Sequence, residues 1–396
     1  MTHDPGPRPP RPPAFGTLAP SPFFATAADR LAWARQRYFD EGQRPSGLVS
    51  EPVIQSWQRC LAAGLKPHQR PEFEPVTRAR VSAALARGHT LLQAAAPEID
   101  QLDILLAGTG CKVLLTDGHG VVLRASAGDA VARSPLELGA RVGVWFAEGN
   151  LGSTAPSVVA RSGRACTVSG GEHFFGILEQ VHCAAAPIRN RDGDVAAVLD
   201  VSIEGRPFAF DAFALVRLFA TAIENRYVAG QARERLLLRF QLAPSLLGTA
   251  MEGLAVVGED GSVSWVNAAG LALVEPPGCA PTPRHVESLF GLTLPQLMSA
   301  CGAKAPLPHR LPSGLGIWLA AVEPARARRA ADGDVAAAPS APPPSPPSLD
   351  DVNRRHIEQT LAECGGNISA AARRLGVSRG LLYRRLREWQ AAGDLS

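Results

Sequence analysis

The spacing of apolar positions divides the chain into stretches of different character. From Phe24 to about Ala95 the spacing is helical and includes Ser56-Trp57-Gln58-Arg59-Cys60, followed by Gly64-Leu65. Helix then gives way to short β runs. Cys111 to Thr116 and Val121 to Ser126 flank Asp117-Gly118-His119-Gly120, a hairpin signal. Val181 to Ile188 and Asp194 to Ile203 repeat the arrangement around Asn190-Arg191-Asp192-Gly193. Between the hairpins the pattern predicts a helix near Ser157 to Arg161 and a glycine-rich loop, and a helix from about Asp211 to Phe240 closes the unit. Hairpin, helix, hairpin, helix predicts an antiparallel sheet with helices packed on it, so the fold class is multidomain α+β. A third unit opens at Leu246: Ala250 to Val257 leads through Asp260-Gly261 into Val263-Ser264-Trp265-Val266-Asn267.

The last fifty residues follow a different pattern. Ile368, Ala371, Ala372 and Leu375 fall at i, i+3, i+4 and i+7, one apolar stripe on a helix of about two turns. Asn367 is placed to cap its start, and Gly376 sits where a helix must end in the left-handed conformation. Ser378 can cap a third helix in which Leu382, Leu386 and Trp389 repeat at i, i+4 and i+7. A first helix from about Leu349 to Cys364 supplies Ile357, Leu361 and Cys364 at the same spacing, and Gly365-Gly366 stops it. Helices this short bury a core only together, and the pattern is that of a three-helix helix-turn-helix. Arg379, Arg384, Arg385 and Arg387 face a single acid, Glu388, between Ser378 and Gln390, an excess suited to phosphates and guanine edges.

Length and charge place that chemistry. A chain of 396 residues has room for two or three domains, and a net charge of +3 is too small to make the whole molecule a nucleic-acid sponge, so any DNA contact is local. Residues 1–22 carry eight prolines and few large apolar groups, so disorder is expected there. A proline-rich linker, residues 324–348, ends in Pro342-Pro343-Pro344-Ser345-Pro346-Pro347 and separates a reader at 349–396 from everything upstream. Upstream, the expected divisions are a helical segment 23–95, a sensor-like unit 96–240 and a smaller unit 245–323. Seven scattered cysteines without a CxxC argue against a disulfide framework or metal finger and suggest a reducing cytoplasm. No run approaches the roughly 18 apolar residues that span a bilayer, so no membrane association is expected.

The C-terminal residues Asn367 to Leu386 resemble the Fis-type DNA-binding domain that ends bacterial enhancer-binding activators. Gly152-Ser153-Thr154-Ala155-Pro156-Ser157, Gly170-Gly171-Glu172-His173-Phe174, His182-Cys183-Ala184-Ala185-Ala186-Pro187-Ile188 and Val198-Leu199-Asp200 resemble, in order and spacing, the GAF domain of acetoin-catabolism-type activators. The helix with Ser56, Trp57, Arg59 and Cys60 is similar to the segment that precedes it in those regulators. Members often carry Gly-Thr-Asn-Ala-Ile-Gly where this chain has Thr154 and Ser157, so the ligand itself is not carried over. The strand, turn, strand and Asn267 of the third unit resemble the opening of a PAS domain. Activators of this kind normally hold an ATP-hydrolysing AAA+ domain, whose phosphate loop needs a lysine after glycine. The three lysines, Lys66, Lys112 and Lys304, follow Leu65, Cys111 and Ala303, so the Walker pattern is absent. The resemblance therefore implies a regulator without that motor, acting by occupying DNA, recruiting RNA polymerase or competing with relatives.

For DNA the candidates are Arg373, Arg374, Ser378, Arg379, Gly380, Tyr383, Arg384 and Arg385. Helix geometry turns Arg379, Gly380 and Tyr383 toward the groove, whereas Arg373 and Arg374 suit phosphate; a solvated charged face is the plainer alternative. For an effector the candidates are Trp145, Thr154, His173, Phe174 and Cys183, against the reading that aromatics and histidines here are core. Cys183 with His173 or His182 would be the nucleophile pair of an enzyme, yet His182 is adjacent on a strand and points to the opposite face. No metal or cofactor is expected, and no enzyme. The expected partners are double-stranded DNA, a second copy in a homodimer, and a small organic effector. The competing reading is an architectural, nucleoid-type protein.

Overall fold

The computed structural model describes residues 24–127, 134–232, 235–275, 284–301 and 305–322, and, near the C-terminus, 360, 361, 364, 367–374, 379, 380 and 382. Two compact units divide the chain, residues 1–332 and 333–396.

The first unit begins with helices α1 (Ala27–Arg35), α2 (Glu51–Ala62), α3 (Arg78–Arg87) and α4 (His89–Leu105). An antiparallel sheet follows, built from β1 (Lys112–Asp117), β2 (Val122–Ala125), β3 (Cys166–Ser169), β4 (Val181–Arg189) and β5 (Val195–Glu204) in the order β2-β1-β5-β4-β3. Both expected hairpins are present, and side-chain carboxamide and carboxylate groups make their turns. Asp117 Oδ1 accepts from the amides of His119 and Val121, and Asn190 Oδ1 from those of Asp192 and Asp194. Gly120 adopts φ +86°, and a Cβ there would lie 2.6 Å from the Phe146 carbonyl oxygen. Helices α5 (Pro135–Gly139), α6 (Glu148–Leu151) and α7 (Ala155–Ser162) connect β2 to β3. After β5 comes α8 (Ala212–Gln231).

The sheet is covered on both faces. Leu91, Ala95, Ile99 and Leu102 of α4 and Val216, Ala220 and Ile223 of α8 pack against Val113, Leu199 and Val201 on one face. Val53, Ile54, Trp57 and Cys60 of α2 and Ala155, Val158 and Val159 of α7 pack against Val168, Cys183 and Val198 on the other. The break expected at 95/96 therefore falls inside α4. Its buried stripe continues through Ile99 and Leu102, and Pro97 does not end the helix. Nor is the N-terminal helical segment a separate body, since the sheet's core needs α2 and α4.

A second correction concerns the helix expected over Asp211 to Phe240. Helix α8 stops at Gln231, and β6 (Leu236–Gln241) begins a second antiparallel sheet. Leu236, Leu238 and Phe240 are buried while Leu237 and Arg239 are partly exposed, a period of two that a leucine run conceals. The other strands are β7 (Gly253–Val257), β8 (Val263–Val266), β9 (Leu307–Arg310) and β10 (Gly316–Val322), in the order β8-β7-β6-β10-β9. This is the spatial order of the first sheet, except that the strand in the middle precedes its neighbours in sequence. Helices α9 (Ala268–Val274), α10 (Val286–Phe290) and α11 (Leu294–Cys301) complete it. Helix α9 lies close on β7: a Cβ on Gly253 would be 3.0 Å from Gly270 Cα.

The two sheets meet through α8. Its Val228, with Ala232, packs on Leu254, Val256 and Trp265. Buried Asn267, which caps α9, donates to Asn225 Oδ1 of α8 at 2.9 Å and to the Glu252 carbonyl at 2.8 Å, and accepts from the amides of Leu254 and Gly270.

In the second unit, α12 (Ile368–Arg374) starts where the sequence places it. Asn367 Oδ1 accepts from the amides of Ser369 and Ala370. Ala371, Ala372 and Leu382 are buried together, with Leu361, Cys364 and Ile368 against them. The expected tail 1–22, the linker 324–348 and most of the third helix lie outside the described residues.

Candidate functional site

The face of the first sheet covered by α2 and α7 holds a polar cluster that an apolar core does not need. On β5, Asp200 and Ser202 point to the same side, and across the ladder Cys183 pairs with Ser202 and Ala185 with Asp200. Asp200 is fully buried. Its Oδ2 accepts from Ser202 Oγ at 2.6 Å, whereas its Oδ1 has no partner among the described residues. Burial pushes the carboxyl up to about 7, against the opposing effect of the Ser202 bond.

His173 reaches the cluster from the loop after β3. Its Nδ1 lies 3.0 Å from the Gly170 carbonyl and its Nε2 3.5 Å from Cys183 Sγ. A carbonyl only accepts, so Nδ1 carries the proton and the thiol donates to Nε2. Arg35 of α1 holds this loop by donating to the carbonyls of Gly171 and Phe174, and Trp57 donates to that of Glu172. Burial drives His173 down to about 4, and burial likewise drives the Cys183 thiol well above its ordinary range. Both are therefore neutral near pH 7. This is one of the two pairings an enzyme would have needed, although no enzyme was expected; the structure brings the two together, but as a thiol and an imidazole lacking the thiolate character that attack requires.

Thr154 caps α7, its Oγ1 accepting from the Ser157 amide at 3.3 Å, and its side chain lines the same cavity as His173, Cys183 and Ser202. That cavity has a volume of about 20 Å³. Its remaining wall is apolar, including Leu114, Leu136, Phe146 and Leu151. Two expected lining residues are elsewhere. Trp145 donates from Nε1 to the His119 carbonyl at 2.8 Å and lies under the Arg80 guanidinium, 4.4 Å from the ring centroid. Phe174 is packed edge-on against Phe39 and Phe175 in the core. Phe146, the neighbour of Trp145, takes the place at the wall. Asp200 and Ser202 were not singled out by sequence reasoning, although a carboxylate two residues before a serine within Val198-Leu199-Asp200-Val201-Ser202-Ile203 breaks an otherwise apolar strand.

At the C-terminal unit Arg374, Arg379 and Gly380 are exposed while Leu382 is buried, so the apolar and basic positions divide as the periodicity requires. Among the described residues no heavy atom lies within 4 Å of where a Gly380 Cβ would be. Ser378, Tyr383, Arg384, Arg385 and the side chain of Arg373 lie outside the described residues. Among the described residues no group of three or more His, Cys, Asp or Glu is placed to hold a metal ion, and no helix is long and apolar enough to cross a membrane.

Residues 25–225, half of the chain, match the family described as the MimR N-terminal domain. The chain belongs to that family. The matched span runs from before α1 into α8, so the N-terminal helices and the first sheet belong together in the family as they do in the fold. Residues 348–389 match the bacterial regulatory proteins of the Fis family. The chain is 28% identical over 265 residues to the acetoin catabolism regulatory protein of Cupriavidus necator, covering 63% of this chain and 39% of that protein. It is 27% identical to the propane 2-monooxygenase operon transcriptional activator MimR of Mycolicibacterium smegmatis, over 49% of this chain and 32% of that one. The chain thus spans between about a third and two fifths of the length of these curated relatives. A solved structure of the Escherichia coli DhaR(N)-DhaL complex aligns with 69% of the chain and all of that chain, at a TM-score of 0.43 and 16% identity. The Fis-type and acetoin-regulator resemblances read from the sequence both stand, as does the mixed α+β class. The relatives are named as transcriptional regulators.

Proposed function

We propose that the protein is a sequence-specific DNA-binding transcriptional regulator that answers to a small organic effector and works without ATP hydrolysis. The observation that carries this reading is the presence in one chain of a MimR-type N-terminal domain and a Fis-family C-terminal segment, with no lysine after a glycine anywhere. In this reading the first sheet with its covering helices is a GAF-like sensor, the second a PAS-like module, and residues 349–396 the DNA reader. Arg379, Gly380 and Tyr383 meet base edges, Arg384 and Arg385 meet bases or phosphates, Ser378 caps the helix that carries them, and Arg373 and Arg374 hold phosphates. Thr154, His173 and Cys183 belong to the effector site, whereas Trp145 and Phe174 serve packing. The protein acts as a homodimer, since one small reader contacts few base pairs and two readers one helical turn apart multiply specificity. RNA polymerase is its downstream partner.

The test is retention of fragments of the source genome on the purified protein at near-physiological salt with excess competitor DNA, followed by sequencing. A few sharply enriched fragments sharing a motif are expected. Broad enrichment without a motif, with a steep salt dependence, would replace this reading with the architectural one.

A further inference from the structure

A cleft opens where the β4–β5 hairpin and α8 meet the second sheet. Its volume is about 550 Å³, within the roughly 300–1,000 Å³ of small-molecule sites, so it has room for a whole metabolite. Four guanidinium groups and two carboxylates line it. Arg189 donates to the carbonyls of Gly163 and Gly193, and Arg284 is paired with Glu275. Arg191 and Arg217 have no carboxylate partner among the described residues; Arg217 is exposed, its guanidinium 5.4 Å from the centroid of the Phe213 ring. Of the acids, Glu224 accepts from the Arg189 amide at 2.8 Å and Asp192 is exposed in the hairpin turn. Cations therefore stand on both walls, Arg191 and Arg217 on the first and Arg284 on the second, and a concave surface with an excess of one sign concentrates its field on counter-ions. We propose that this cleft binds a small organic anion, a carboxylate or phosphate monoester with an apolar body, whose oxyanion is met by Arg191 and Arg217 and whose body lies on Pro187, Val266 and Leu271.

Three features select that class. A guanidinium stays charged at any physiological pH, and its paired N–H donors match two oxygens of a carboxylate or phosphate. The volume far exceeds that of a lone oxyanion, and Ala165, Ala186, Pro187, Val266 and Leu271 give the remainder an apolar lining that a free inorganic ion would leave against water. A DNA backbone suits the cleft less well, because Asp192 and Glu224 stand where a run of phosphates would pass. The cleft shares no residue with the buried cavity of Thr154, His173 and Cys183, so the proposal does not depend on the effector reading. An occupant touches the hairpin and α8 of the first sheet and β8 and α9 of the second, and so ties the two sheets together.

Calorimetric titration of the full-length protein with phenyl phosphate, benzoate, inorganic phosphate and benzyl alcohol tests the site. The first two share an apolar body and differ in head group, and each of the others lacks one half of the ligand. Saturable binding of phenyl phosphate or benzoate is expected, at least about tenfold tighter than either half, and the tighter of the two names the head group. Arg191→Gln and Arg217→Gln are each expected to weaken it about tenfold. Ser264→Trp, at an exposed position of β8 that lines the cleft, is expected to abolish it by narrowing the cleft from the second sheet. Arg87→Gln, exposed on α3 and outside the cleft, is expected to change nothing. The arginine variants alter surface positions and supply the measurement if Ser264→Trp fails to fold. Equal binding of benzyl alcohol or inorganic phosphate, no saturable binding of any probe, or unchanged affinity in both cleft arginine variants would overturn the site. Displacement of the bound probe by a random-sequence DNA duplex would assign the cleft to the DNA backbone and overturn it as well.

Discussion

Asp200 sets a pH dependence that its burial makes legible. Its carboxyl, ordinarily near 3.8, is pushed up to about 7 in the folded chain. Between those values the native protein keeps a proton that the unfolded chain has released, so stability present below about pH 4 is lost as pH rises through 7. Glu172, pushed up to about 7 by burial, has the same sign. His173, depressed to about 4, has the opposite sign and loses stability as pH falls from about 6.5. The difference between wild type and Asp200→Asn isolates one carboxyl from these neighbours. Urea unfolding is expected to show that difference moving toward the variant by about 2–3 kcal/mol between pH 5 and pH 8. A difference that stays flat would mean the carboxyl is not desolvated. Thr154, His173 and Cys183 were named from their residue types and spacing, which resemble a known pattern, and the fold brings them to one small cavity. Asp200 was not, because what marks it is an empty acceptor, a property of three-dimensional surroundings and not of the strand it sits in.

At the scale of elements, legibility followed locality. Both hairpins of the first sheet could be read because Asp117 and Asn190 make their turns with their own side chains and the flanking strands alternate. Strand β6 could not: Leu236-Leu237-Leu238 follows a genuine helix and leucine is a good helix former, and although β7 pairs with it nearby, with Phe240 opposite Gly253, its other partner β10 lies some eighty residues on, with Phe240 opposite Leu319. Leu238→Ala is expected to cost about 2–5 kcal/mol, read as early loss of the second sheet in urea. A helical residue on a solvated face would lose almost nothing, so a neutral result would refute the strand's burial. In the reader the cap was legible for the same local reason. Asn367→Ala removes the acceptor for two amides of α12 and is expected to cost about 1 kcal/mol. If α12 must be formed to bind, DNA affinity falls about fivefold, measured by anisotropy on a retained fragment.

Across the whole molecule, the division at residue 332 separates what is proposed to sense from what is proposed to read. A reader of fewer than fifty residues presents a handful of arginines, too few for tight binding at physiological salt without a second copy. In the homodimer proposed above, the proline-rich sequence before residue 349 tethers each reader to its sensor and so limits how far it strays from its twin. Two tethered readers then act at high effective concentration, so affinity exceeds that of a free reader without any new contact to DNA. Residues 333–396 alone are therefore expected to bind a retained fragment at least about a hundredfold more weakly than the full chain. Cutting the fragment to one half-site should weaken the full chain to about the same extent while barely affecting the isolated reader. Sedimentation of the full chain at the same concentrations checks the premise directly, because a monomeric full chain that bound no better than its reader would leave the larger unit without a part in DNA recognition.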